Sequence, residues 1–211
     1  MFKKLRIMIK LKYSAFAFLL LLSLNFHQNV EAQQISKIAF GSCNKHNLPQ
    51  PLWNPINDDK PEVFIWLGDN VYGDTHDMEL LESKYMAQKA IPGYQQLKRN
   101  TQIIGIWDDH DYGWNDADAS YPFKKDSREA FKSYWANPSY GTKEDAVYTK
   151  FTWNDVDVFM LDDRWYRSND NTMDSIDGKV NPEKQMFGKE QIQWLKNALL
   201  QSNANGNINF R

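Results

Sequence analysis

The sequence predicts an α/β fold built on a largely parallel sheet, and three observations carry that expectation. Short apolar runs of strand length recur along the chain, segments of helical spacing separate them, and three of the runs end in residues able to bind metal.

Residues 1–32 differ in character from the rest of the chain. A basic start (MFKKLRIMIKLK) leads into an apolar stretch (YSAFAFLLLLSLNF) and then a polar one, with Val30 and Ala32 in small-residue cleavage positions. That is the plan of a secretory signal peptide. An N-terminal anchor needs roughly 17–25 apolar residues, more than this stretch offers. The expected location is therefore secreted or periplasmic, in the cell envelope, with no membrane span after cleavage and the domain at 33–211. The leader holds five of the 25 Lys and Arg and one of the 27 Asp and Glu, so the remainder is net −6. That charge argues against a nucleic-acid role.

The first predicted strand is ISKIAFGSC (35–43), which ends in the chain's one cysteine. Cys43 has no internal disulfide partner and is either a small core residue or a sulfur ligand. EVFIWLGD (62–69) comes next as a second strand. DMELLESKYMAQKAI then has Leu81 and Tyr85 one turn apart, with Asp77 as N-cap, and must end near Pro92–Gly93. The third strand, QIIGIWDD (102–109), runs into an unusual cluster, IIGIWDDHDYGWND. SREAFKSYW is expected as a helix opening on a capping serine, Ser127, with Phe131 and Tyr134 or Trp135 on one face. DVDVFMLDD (155–163) is the fourth strand, and residues 166–188 read as a surface loop. GKEQIQWLKNALL is an amphipathic helix with Ile192, Leu195 and Leu199 on one side.

In an open parallel sheet, ligands bind beyond the carboxyl ends of the strands. Three strands deliver Cys43, then Asp69, then Asp108 and Asp109 to that edge, with Tyr72 and His110 close behind. Carboxylates suit hard cations, whereas a thiolate and a phenolate suit a softer or more Lewis-acidic ion such as iron(III). Plainer roles exist for each residue. Asp69 can cap a turn, Tyr72 can lie on the surface, and Asp108 can hold its loop through backbone hydrogen bonds. Arg164 either clamps a phosphate bidentately or pairs with Asp162 or Asp163. Asn115 reads as a turn residue, Trp107 and Trp114 as packing, and His46 and His76 as solvated loop residues.

GD-x-x-Y after one apolar strand and DDHD after the next resemble the calcineurin-like metallophosphoesterases, whose pattern at these places is GD-x-x-[DY] and GN-H-[DE]. The resemblance sets Asp69 at the bridging-carboxylate position and Tyr72 at the tyrosine position. It sets Asp109 at the metal-binding asparagine, His110 at the catalytic histidine and Asp111 at the acidic residue that orients it. FGSC, WLGDNVYGD, GIWDDHDYGWND, FMLDDRWYR and G-x-x-Q-x-x-WL occur in the order of the alkaline phosphatase D (PhoD-like) branch, from about Lys37 to Leu199. In that branch a cysteine is the first strand's metal ligand, which implies that role for Cys43.

The resemblance further implies a two-sheet sandwich flanked by helices (αββα), of which this chain holds the N-terminal portion. It implies a binuclear or multinuclear site with Fe(III) plus Ca(II) or another divalent cation, and an exported phosphoesterase. The substrate it implies is a phosphate ester, a diester in preference to a monoester, hydrolysed by a metal-activated water. His110, Asp111 and Arg164 are the catalytic candidates, and Cys43, Asp69, Tyr72 and Asp109 the metal candidates. The family pattern has further histidine ligands, including a later G-H-x-H-like motif, whereas the histidines here are His27, His46, His76 and His110. The sequence is thus read as C-terminally incomplete relative to the family. The alternative is a truncated, non-catalytic relative acting as a binding or assembly module.

Overall fold

A computed structural model describes residues 37–202 and the backbone of 206–210. The predicted leader (1–32) and the first two residues of the predicted first strand lie outside the described residues.

The first three predicted strands form one parallel sheet in the order β1-β2-β3: β1 (Ile38–Gly41), β2 (Val63–Leu67) and β3 (Gln102–Ile106). The register runs Ile38 to Val63 to Gln102. Central β2 reads VFIWL without polar interruption because both of its faces are covered, and Val63, Phe64, Ile65 and Trp66 are all buried.

Helices α1 (Trp53–Asp59), α2 (Met78–Ala90) and α3 (Pro92–Asn100) fill the crossovers. In α2 Asp77 is the N-cap, its carboxylate accepting from the backbone N–H groups of Glu79 and Leu80, and Leu81 and Tyr85 are buried one turn apart. The predicted stop at Pro92 is a junction. Ile91 closes α2 and opens α3, where a proline at the first turn costs no hydrogen bond. A single turn, α4 (Asp109–Tyr112), comes directly after β3.

α5 (Lys124–Tyr134) starts earlier than expected. Phe123, not Ser127, is its N-cap, and Ser127 is buried inside the helix with its hydroxyl 3.8 Å from Met78 Sδ. The chain turns helical straight after Pro122, before a serine cap is needed. Phe131 and Trp135 do share the buried face.

The fourth predicted strand, β5 (Val156–Met160), leaves the parallel sheet. It pairs antiparallel with β4 (Thr149–Trp153) through a tight turn at Asn154, whose φ is 53°. It pairs parallel with β8 (Gly206–Phe210) on its other side, giving a second sheet of order β4-β5-β8. The loop 166–188 contains a two-residue hairpin, β6 (Ser175–Ile176) with β7 (Lys179–Val180). α6 (Gly188–Leu200) closes the described helices. Its expected apolar side is only partly covered: Ile192 and Leu195 are half-buried and Leu199 is exposed, whereas Gly188 and Gln191 are buried.

Side chains from both sheets and from α2, α3 and α5 enter one core, dense in aromatics that include Trp66, Tyr85, Tyr94, Trp107, Phe131 and Trp135. No helix among the described residues is long and apolar enough to cross a membrane.

Candidate metal centre

Two strand ends are stitched together at the rim of the parallel sheet. The Cys43 amide donates to the Gly68 carbonyl (3.3 Å) and the Asn44 amide to the Asp69 carbonyl (2.8 Å). Cys43 and Asp69 both have left-handed backbones, with φ 55° and 48°. Such conformations cost energy in non-glycine residues and concentrate at functional sites. Gly68, at φ 94°, makes the turn possible: a Cβ there would lie 2.5 Å from Asp108 Cβ.

From the third strand, Asp108 caps α4 and its carboxylate accepts from the Asp109 amide (2.9 Å). This leaves Asp109 and His110 on the first turn, next to Asp69. One oxygen each from Asp69 and Asp109 and one ring nitrogen of His110 lie within 4.8 Å of one another. The Cys43 thiol is 3.5 Å from Asp69 Oδ2, and the Tyr72 ring lies 4.2 Å from the imidazole. The three separate segments therefore meet.

Carboxylates crowd the rim beyond what His110 and Arg164 neutralise. Asp69 is raised above its ordinary value by burial, then by repulsion from Asp108 and Asp109. Tyr72 is raised by burial and by Asp69, Cys43 and Asp109. A hydrogen bond from Ser42 lowers Cys43, but burial and Asp69 together outweigh it and the thiol rises. Burial lowers His110, yet its hydrogen bond to Asp74 and the charges of Asp74, Asp109 and Asp69 prevail, so the imidazolium is favoured. Asp69 Oδ1 is buried with no hydrogen-bond partner. Two carboxylates, a thiol and a phenol around an orphaned oxygen fit a bound cation, which would reverse each of these shifts.

The other expected residues take varied places around this rim. Arg164 is 8 % exposed and pairs through Nε with Asp108 Oδ1 (2.5 Å) and more loosely with Asp163 Oδ1 (3.6 Å). Asp162 instead accepts from the backbone amides of Val147, Arg164 and Trp165. Arg164 Nη2 reaches to 3.9 Å from Asp109 Oδ1, and Nη1 is buried without a partner. Asp111 does not touch His110. It is fully buried and accepts from the Asp108 amide (2.7 Å), the Asn70 amide (3.1 Å) and Asn70 Nδ2 (2.5 Å), tying the second strand's loop to the third's. The partner of His110 Nδ1 is Asp74 Oδ1, at 2.5 Å.

Asn115 bonds its neighbour Asp116, whose own amide donates to Asp109 Oδ2 (2.6 Å). Trp107 is core and Trp114 is exposed against Tyr121. His46 is half-buried, and exposed His76 stacks on Phe123; neither belongs to the cluster. Sequence reasoning does not find Asp74, Asn70 or Asp116. The one available signal is the glycine before Asp74, which marks a turn brought against another segment.

The parallel sheet thus presents an acid-rich rim at the carboxyl ends of its strands, beside a second sheet. The chain belongs to the PhoD-like phosphatase family, whose sequence profile matches residues 38–209. Among solved structures it is similar to one titled "Structure of PhoD", with a TM-score of 0.68 and 18% identity over 84% of this chain and 42% of that one. The chain thus spans less than half the length of that structure. No curated protein matches it.

Proposed function

We propose that this protein is an exported, metal-dependent phosphoesterase that hydrolyses phosphate esters, diesters in preference to monoesters, at the rim of the parallel sheet. The observation that carries the reading is the partnerless buried Asp69 Oδ1 inside a cluster with Asp109 and His110. Like charges are brought together there at a cost in stability that a cation would offset. Asp69, Asp109, Cys43 and Tyr72 would hold it, and iron(III) with calcium or another divalent ion suits that mix of sulfur, phenol and carboxylate donors. The bound ion supplies positive charge for the phosphoryl oxygens and acidifies water.

The chain's own residues do the rest. With Nδ1 hydrogen-bonded to Asp74, His110 would give a proton from Nε2 to the leaving alkoxide. The Asp74 carboxylate at Nδ1 favours the protonated ring that carries this proton. Arg164, fixed by Asp108 and with Nη2 3.9 Å from Asp109 Oδ1, would bring its positive charge to the phosphoryl oxygens. The tilted ring contact between Tyr72 and His110 walls one side of the site. Export is supported by the leader-like composition of residues 1–32.

The test is hydrolysis of a chromogenic aryl phosphodiester by metal-loaded protein, alongside Asp69→Asn and His110→Gln. Asp69→Asn is expected to lose metal and activity together, and His110→Gln to keep metal while kcat falls by about 10²–10⁴. Equal hydrolysis by all three would end the proposal. A second reading, a non-catalytic binding or assembly module, draws support from the cluster's use of only one histidine among the described residues. Stoichiometric metal with no hydrolysis of mono- or diesters would favour it.

A further inference from the structure

We infer that Asp74 is the positioning residue for His110, the role that resemblance gives to Asp111. The inference rests on the phosphoesterase reading for its catalytic consequence, though not for its geometry. Asp111 is spent elsewhere: both of its oxygens accept N–H groups of Asp108 and Asn70 in a fully buried network. Asp74 Oδ1 sits 2.5 Å from His110 Nδ1 across 36 residues of sequence.

That contact is built rather than incidental. The amides of Gly73 and Asp74 both donate to the His110 carbonyl, at 2.8 and 3.2 Å, so the turn grips the histidine by its backbone as well as its ring. Gly73 allows the approach, because a Cβ there would stand 2.6 Å from the same carbonyl oxygen. Lys84 Nζ in turn holds the carbonyls of Tyr72 (3.2 Å) and Gly73 (2.7 Å), and the Tyr72 ring lies 4.2 Å from the imidazole. The imidazole is therefore fixed at Nδ1, over one face and through its main chain.

A carboxylate at Nδ1 selects the Nδ1–H tautomer of the neutral ring. When the imidazolium passes its Nε2 proton to the leaving oxygen, it relaxes into that same tautomer, with no further rearrangement. Asp74→Asn keeps the size of the side chain and suits the left-handed backbone at this position (φ 46°). It removes the charge and allows an amide N–H to face Nδ1, which favours the wrong tautomer.

The direct test is a long-range proton–nitrogen NMR spectrum of the histidine rings, recorded at a pH where the imidazolium signals have gone, with His110 assigned by His110→Gln. The wild-type ring is expected as the Nδ1–H tautomer, shifting toward Nε2–H in Asp74→Asn. On the metal-loaded protein, Asp74→Asn is expected to lower kcat by about 10–10² with KM nearly unchanged, and to lose more with alkyl than with nitrophenyl leaving groups. A wild-type Nε2–H tautomer, or an Asp74→Asn ring and kcat indistinguishable from wild type, overturns the assignment. A wild-type protein that hydrolyses no ester defeats the phosphoesterase reading instead, and the ring spectrum still decides the position of the proton.

Discussion

The Cys43 thiol lies 3.5 Å from Asp69 Oδ2, although 26 residues and a complete helical crossover separate the two. The protonated thiol donates to the Asp69 carboxylate, and Asp69 and the burial of the thiol both resist formation of the thiolate. Cation binding would displace the thiol proton and turn this hydrogen bond into shared ligation. In chelator-treated protein the single thiol is exposed but held protonated, so alkylation should proceed and speed up as pH rises. A divalent ion at about 100 times its Kd should slow alkylation and add about 2.7 kcal/mol of stability, read as a rise in Tm. Cys43→Ser should keep the fold and weaken both the binding and the Tm shift. Identical alkylation with and without metal would remove Cys43 from the site.

Gly68 separates the second strand from Asp69 with a φ of 94°. Gly68→Ala meets Asp108 Cβ at 2.5 Å and the Asp108 amide at 2.9 Å, so the strand end or the α4 cap must move. Urea unfolding should show a loss of roughly 2–3 kcal/mol. Metal affinity should fall with it, because Asp69 is the next residue. A variant as stable as wild type would mean that the turn relaxes freely.

Gln191, inside the G-x-x-Q-x-x-WL motif, has a structural task. Its Oε1 accepts from the Asp162 amide (2.7 Å), and its Nε2 donates to the Asp162 carbonyl (2.7 Å) and the Phe187 carbonyl (3.0 Å). It thereby completes the hydrogen bonding of the chain as it leaves β5 for Arg164. Gln191→Ala strands buried backbone groups and should cost about 1–3 kcal/mol in denaturant unfolding. Catalysis should fall less than stability, since no side chain of the rim is touched.

These residues also show what could be read in the sequence. The parallel sheet was legible because VFIWL and its neighbours are uninterrupted apolar runs separated by crossover length, and the chemistry of the rim derives from that topology. The departure of β5 into a second sheet was less visible. TKFTW carries alternating Thr and aromatic residues but only Asn154–Asp155 as a turn signal, and helical crossovers dominated the pattern on either side. Cys43, Asp69, Tyr72, Asp109 and His110 were each legible from strand ends and motif. The partner of His110 was not. DDHD places Asp111 beside it in sequence, but adjacent residues on a helical turn point in different directions, and Asp111 turns inward to Asn70. Contacts made between segments 36 or 41 residues apart leave no local periodicity to detect.

Asp163 carries a pH dependence of definite sign. Burial, together with repulsion from Asp108, raises its carboxyl from an ordinary 3.8 to about 7 despite the opposing charge of Arg164. In the unfolded chain the group ionises near 3.8, so between that pH and about 7 the folded protein holds a proton that the unfolded chain has released. Its contribution to stability is complete below pH 3.8 and is lost as pH rises through 7. Asp163→Asn removes the titration while keeping the shape. At pH 8 in metal-free protein the variant should be the more stable by about 2–4 kcal/mol, and the gap should close as pH is lowered to about 4. Paired urea titrations across that range read this carboxyl together with its charge coupling to Arg164. A gap that widens toward acid would show that Asp163 is ionised in the fold and held by Arg164, contrary to its surroundings.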